Sequence, residues 1–99
     1  MTERATTNSI LRILRARGAW AIKTHGAGAT RSGIPDIIAV YRHHALALEV
    51  KQPGKHPTPL QTHELTRAAA AGATAAIVHS IHDVTTILDD IDQQTVRRP

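Results

Sequence analysis

The chain has 99 residues, twelve Lys/Arg against eight Asp/Glu, no cysteine, and only Trp20 and Tyr41 as aromatics. That length fits one domain, 1–99, and the missing cysteines exclude disulfides and cysteine-ligated zinc. No run approaches the roughly 18 to 20 apolar residues of a membrane span, and Glu3 and Arg4 stand where a signal peptide would turn apolar, so the expectation is a soluble, cytoplasmic protein with no membrane partner.

Residues 3 to 17 read as a first helix. Ile10, Leu11, Ile13 and Leu14 recur at helical spacing, Arg12, Arg15 and Arg17 form a solvated face, and Gly18 ends the run. Residues 19 to 24 predict a strand, and residues 25 to 35 a Gly-rich polar loop. DIIAVY (36–41) and ALALEVK (45–51) predict two more strands, followed by a loop over residues 52–58. Thr58, Pro59 and Gln61 form a capping-box start for a second helix that runs to Gly72, with Ala68 to Ala71 suited to tight packing. Residues 75 to 79 predict a fourth strand, and Ser80 to Asp83 cap a third helix over 83–91. The polar tail, 92–99, is expected to fray. The pattern is an α/β fold of order α-β-β-β-α-β-α, with a core of Ile, Leu, Val and Ala.

The charges have a place in that pattern. Residues 1–80 carry ten Lys/Arg and four Asp/Glu, a basic body suited to a polyanion. The scarcity of aromatics argues against stacking on single-stranded bases as the main device. Because side chains alternate along a strand, Glu49 and Lys51 share a face with Ala45 and Ala47. Asp36 lies directly opposite Glu49 if the hairpin closes with a two-residue turn at Arg42-His43, or with a four-residue loop. It lies opposite Lys51 if the turn is His43-His44. Even loops make the three charged groups converge, whereas odd loops need a bulge. Two opposed carboxylates repel, and Lys51 offsets one charge. A divalent cation would offset the rest, two carboxylates with a main-chain carbonyl and waters suiting Mg²⁺ or Mn²⁺. A plain cross-strand ion pair at the sheet end is the other reading of the same residues.

Gly33-x-Pro35-Asp36, then Glu49-x-Lys51, Pro53-Gly54 and Gln61, resembles the PD-(D/E)xK signature as it occurs in the small stand-alone VRR-NUC nucleases, often of phages and related to Holliday-junction resolvases. The likeness spans nearly the whole chain, from Glu3 through Arg17-Gly18 to His79–Val84. It implies a restriction-endonuclease-like αβββαβ core plus a C-terminal helix, and a Mg²⁺-dependent nuclease, with Mn²⁺ as substitute, acting on DNA that is branched, flapped or a Holliday junction. A phage-encoded protein would act in the host cytoplasm. By the resemblance, Asp36, Glu49 and the Val50 carbonyl hold the metal, with Glu3 completing the site directly or through water. Lys51 orients or helps deprotonate the attacking water and stabilises phosphate charge, and Gln61 holds water or phosphate beside it. The alternative function is a non-catalytic DNA-binding module on the same fold.

Lys23, Arg31, Ser32 and Lys55 are the expected DNA contacts, with Gly26, Gly28 and Gly33 allowing close approach of the backbone. The seven histidines show no ligand-spaced pair with a third donor, so no histidine metal site is expected. So small a domain has little surface to grip a junction or cut two strands, and a homodimer is expected.

Overall fold

The computed structural model describes residues 1–25 and 31–97. Among these residues the elements are α1 (Glu3–Ala16), β1 (Trp20–Lys23), β2 (Ile37–Tyr41), β3 (His44–Val50), α2 (Pro59–Ala70), β4 (Thr74–Val78) and α3 (Ile81–Arg97). The strands form one mixed sheet in the order β1-β2-β3-β4; β3 is antiparallel to β2 and parallel to β4. The α/β class and the αβββαβ order with a C-terminal helix are as the sequence predicts.

The β2–β3 hairpin closes on the pair Tyr41 and His44, the two-residue turn at Arg42-His43. Both turn residues have positive φ, 48° and 70°, the backbone of a primed turn that Asn-Gly usually supplies. Here other contacts hold it. His44 Nδ1 lies 2.8 Å from the Arg42 carbonyl, and the Arg42 guanidinium reaches Asp92 at 3.2 Å while lying over the Tyr41 ring. This register places Asp36 opposite Glu49.

One face of the sheet carries the core. Ile37, Ala39, Leu46, Leu48, Val50 and Val78 meet Ile10 and Leu14 of α1 and Val84, Leu88 and Ile91 of α3. On the other face α2 covers β3 and β4, burying Leu65. The alanines of α2 do not pack as expected: Ala68 is half-buried and Ala69 to Ala71 are exposed, because the helix end lies past the sheet contact made by Leu65. Strand β3 is central, and Leu46 to Val50 are buried on both faces. That leaves Glu49 sealed into the sheet at 2% exposure.

Two further expectations need correction. The chain does not fray from residue 92, since α3 continues to Arg97. Ile91 is buried, and Asp92 accepts from the Tyr41 hydroxyl at 2.7 Å and from Arg17 at 2.8 Å, so this turn is anchored to β2 and α1. The Tyr41 hydrogen bond, with Arg42 and Arg17 close by, holds the Asp92 carboxyl below its ordinary range. Nor are Arg12, Arg15 and Arg17 all merely solvated. Arg17 pairs with Asp89 and Asp92, and Arg15 donates to the Ala21 carbonyl at 2.9 Å. Since Thr24 N–H donates to the Asp36 carbonyl, the antiparallel alternation turns the Ala21 carbonyl outward. Arg15 therefore covers part of an open sheet edge.

Gly33, just before β2, packs against the start of α2. Gly33 has φ +86°, and a Cβ there would lie 2.6 Å from Leu60 Cγ and 3.1 Å from the Leu60 carbonyl oxygen. Both the left-handed backbone and the close approach require glycine. Gly33→Ala is expected to lower unfolding free energy by about 1–3 kcal/mol, read by urea denaturation. An unchanged midpoint would mean that the loop is free to move off α2.

Candidate active site

The site begins where the hairpin ladder stops. After the pair Ile37–Leu48, the next hydrogen-bonded position along an antiparallel ladder would pair residue 35 with Val50. Residue 35 is a proline, with no N–H to give, and its carbonyl accepts from the Thr24 hydroxyl at 2.6 Å. The Val50 N–H donates instead to Asp36 Oδ2 at 2.8 Å. A side chain thus replaces the missing rung, and the Asp36 carboxylate is fixed beside the end of β3. Its other oxygen, Oδ1, lies 3.1 Å from His25 Nε2.

Glu49 faces the α2 side of the sheet. Its Oε2 lies 3.6 Å from Lys51 Nζ, while Oε1 is buried without a hydrogen-bond partner among the described residues. Burial first, then the Asp36 charge, push the Glu49 carboxyl up from 4.5 to about 7, and Lys51 offsets only part of this. A buried carboxylate oxygen left unpaired is costly, so an acid kept in this state asks for a partner that the described residues do not supply.

Glu3 reaches the same strand end, its Oε2 accepting from Gln52 N–H at 3.4 Å. It does not complete a three-carboxylate cluster: among the described residues no three His, Cys, Asp or Glu groups come together closely enough to hold a metal. Gln61 forms the capping box, its Oε1 accepting from Thr58 N–H at 2.9 Å while its own N–H donates to the Thr58 hydroxyl. Lys51 is held at its backbone as well, by Lys51 N–H to the Val78 carbonyl and by the Lys51 carbonyl to His79 Nδ1 at 2.8 Å. A pocket of about 470 Å³ between the starts of α1 and α3 has Val50, Lys51, Gln52 and His79 in its wall, but neither Asp36 nor Glu49. The carboxylates lie beside that pocket and not in it.

Of the residues expected at DNA, Lys23, Ser32 and Lys55 are exposed, Lys23 at the end of the strand that leads to His25. Arg31 is paired with Glu64 of α2 at 3.1 Å, a contact between residues too distant in sequence to be foreseen. Gly26 and Gly28 lie outside the described residues. No local pattern in the sequence marks His25, whose partners Ile34 and Asp36 lie nine and eleven residues away.

The fold has counterparts among known proteins. The model of the family described as archaeal Holliday junction resolvase (Hjc) matches residues 3–91. The chain belongs to that family. A solved structure described as a VRR_NUC domain is 26% identical over 90% of this chain and 97% of its own, with a TM-score of 0.72. The Holliday junction resolvase Hjc of Archaeoglobus fulgidus is 31% identical over 78% of this chain and 67% of its own, with a TM-score of 0.55. A further VRR_NUC domain protein, 20% identical over 90% of this chain and 86% of its own, shares the fold at a TM-score of 0.72. No curated protein matches. The resemblance to VRR-NUC nucleases and the restriction-endonuclease-like fold are both borne out.

Proposed function

We propose that this chain is a Mg²⁺-dependent endonuclease that hydrolyses phosphodiester bonds in branched DNA, four-way junctions above all. The observation that carries the reading is Glu49: an acid at 2% exposure, with an oxygen that has no partner among the described residues, close enough to Asp36 to be driven up by its charge. Two hard carboxylate oxygens beside the end of a strand fit a small divalent cation better than a proton at pH 8. Asp36, Glu49 and the Val50 carbonyl would hold it, with Glu3 helping through water. Bound there, the cation would lower the pKa of a water and offset charge on the phosphate.

The chain's own residues supply the rest. Lys51, at 15% side-chain exposure and tethered toward Glu49, presents a positive charge where the phosphate gains negative charge, and orients the attacking water. Asp36 is locked by Val50 N–H, so its geometry is set before substrate arrives. Gln61, fixed by the capping box, would hold water or phosphate at the start of α2. Lys23, Arg31, Ser32 and Lys55 would contact the DNA backbone, Arg31 exchanging Glu64 for phosphate. A homodimer belongs to the same proposal, because opening a four-way junction symmetrically takes two cuts and the described residues bring together one such pair of carboxylates, Asp36 and Glu49.

The test incubates purified protein with four-way, flapped and linear duplex DNA, in Mg²⁺, Mn²⁺ or EDTA, alongside Asp36→Asn. Cleavage of the junction in metal, none in EDTA, and none by Asp36→Asn are expected. Light scattering gives the mass of the particle that binds DNA, expected at two chains. Equal cleavage by wild type and Asp36→Asn would overturn the site assignment. Tight, salt-sensitive junction binding with no cleavage in any metal would establish the non-catalytic DNA-binding module instead.

A further inference from the structure

We infer that His25 is a positioning residue for Asp36, holding the carboxylate in the orientation that leaves its free lone pairs to a divalent cation; this rests on the metal-dependent nuclease reading above. The geometry fixes the tautomer. His25 Nε2 lies 3.1 Å from the Ile34 carbonyl oxygen and 3.1 Å from Asp36 Oδ1. The Ile34 carbonyl can only accept, so Nε2 carries the proton of that hydrogen bond, and Asp36 Oδ1 lies within ion-pair distance of the same nitrogen. The Ile34 carbonyl anchors the ring, and the ring in turn restrains the carboxylate.

Asp36 is then gripped at both oxygens, Oδ2 by Val50 N–H at 2.8 Å and Oδ1 by His25. Each oxygen keeps a lone pair free, so the Val50 hydrogen bond and the His25 contact restrain the plane of the group without using up its capacity to ligate. The grip is continuous with the backbone. Thr24 N–H donates to the Asp36 carbonyl at 2.9 Å and the Thr24 hydroxyl to the Pro35 carbonyl at 2.6 Å. Thr24-His25 thereby brackets Ile34-Pro35-Asp36 from the end of β1. A carboxylate at 20% side-chain exposure with a free χ2 would otherwise sample orientations in which its oxygens turn to solvent. Groups that orient a metal-binding carboxylate typically contribute about 10–100-fold to metal affinity when removed.

The experiment titrates Mn²⁺ into the full chain by calorimetry at pH 7.5, comparing wild type, His25→Ala, His25→Gln and Asp36→Asn, with far-UV circular dichroism confirming each fold. Glutamine places an N–H₂ donor close to where Nε2–H lies in the imidazole, so it separates a hydrogen-bonding role from a ligand role. His25→Ala is expected to weaken Mn²⁺ binding at least about 10-fold, while His25→Gln stays within about 3-fold of wild type. An Asp36→Asn variant that loses binding while His25→Ala keeps the wild-type affinity would overturn the role of His25 and leave the nuclease reading standing. Equal losses in His25→Gln and His25→Ala would also overturn it, making the ring itself a ligand. Wild-type protein that binds no Mn²⁺, or binds it no better than Asp36→Asn, would overturn the metal reading and this inference with it.

Discussion

Lys51→Met is expected to slow junction cleavage by about 10²–10³-fold at saturating metal, the scale of losing one preorganised charge at a developing oxyanion. Methionine keeps most of the stem's volume, and that stem is largely enclosed, with 15% of the side chain exposed. The fold should therefore persist, and only the ammonium is lost. Single-turnover kinetics with excess protein on a labelled four-way junction separates this loss from slow product release. The effect should fall on the cleavage step more than on binding: one lost cation contact lowers the salt slope of DNA affinity by about 0.9, a small change for so basic a chain. Lys51 is also what restrains the rise of Glu49. Removing it pushes Glu49 higher still, so residual activity should set in at a higher pH than in wild type. Cleavage within about 3-fold of wild type would show that the ammonium does not face the phosphate.

The part of the site written in the β2–β3 hairpin was legible because it follows from short-range rules. Alternation along β3 puts Glu49 and Lys51 on one face, and any even turn sets Asp36 across from one of them; the observed turn at Arg42-His43 selects Glu49. The capping box at Thr58 and Gln61 was equally local, three residues apart. What could not be read depends on contacts without sequence proximity. The turn lacks a local signal because Asp92, fifty residues on, helps hold Arg42. The same Asp92 prolongs α3 beyond the point where its polar composition suggests fraying. Arg31 looks like a free cation until α2 brings Glu64 beside it. Pro35 was legible as the end of the loop before β2, but not the consequence that Asp36 takes over its rung on Val50.

Glu49→Gln should make the metal-free protein more stable than wild type in alkaline buffer, by roughly 3 kcal/mol, the equivalent of a rise from 4.5 to about 7. The sign follows from proton binding. The folded chain holds the Glu49 proton more tightly than the unfolded chain, so the associated stability is fully present below pH 4.5. It declines between pH 4.5 and 7, and above pH 7 it is gone, because the ionised acid must then be buried beside Asp36 with Oε1 unpaired among the described residues. Glutamine imitates the protonated acid at nearly the same volume and cannot ionise. Urea denaturation in EDTA should therefore show the gap between variant and wild type widening from pH 4.5 to pH 8.5. A gap that does not change with pH would mean that Glu49 titrates normally and is under no electrostatic strain. Mg²⁺ added at pH 8.5 should raise the wild-type midpoint and leave Glu49→Gln nearly unmoved. The variant should cleave no junction DNA. Stability gained together with activity lost, at one buried atom, is what distinguishes a carboxylate kept for a cation from one kept for an ion pair with Lys51: an acid retained only for that pair would make the protein weaker, not stronger, when neutralised.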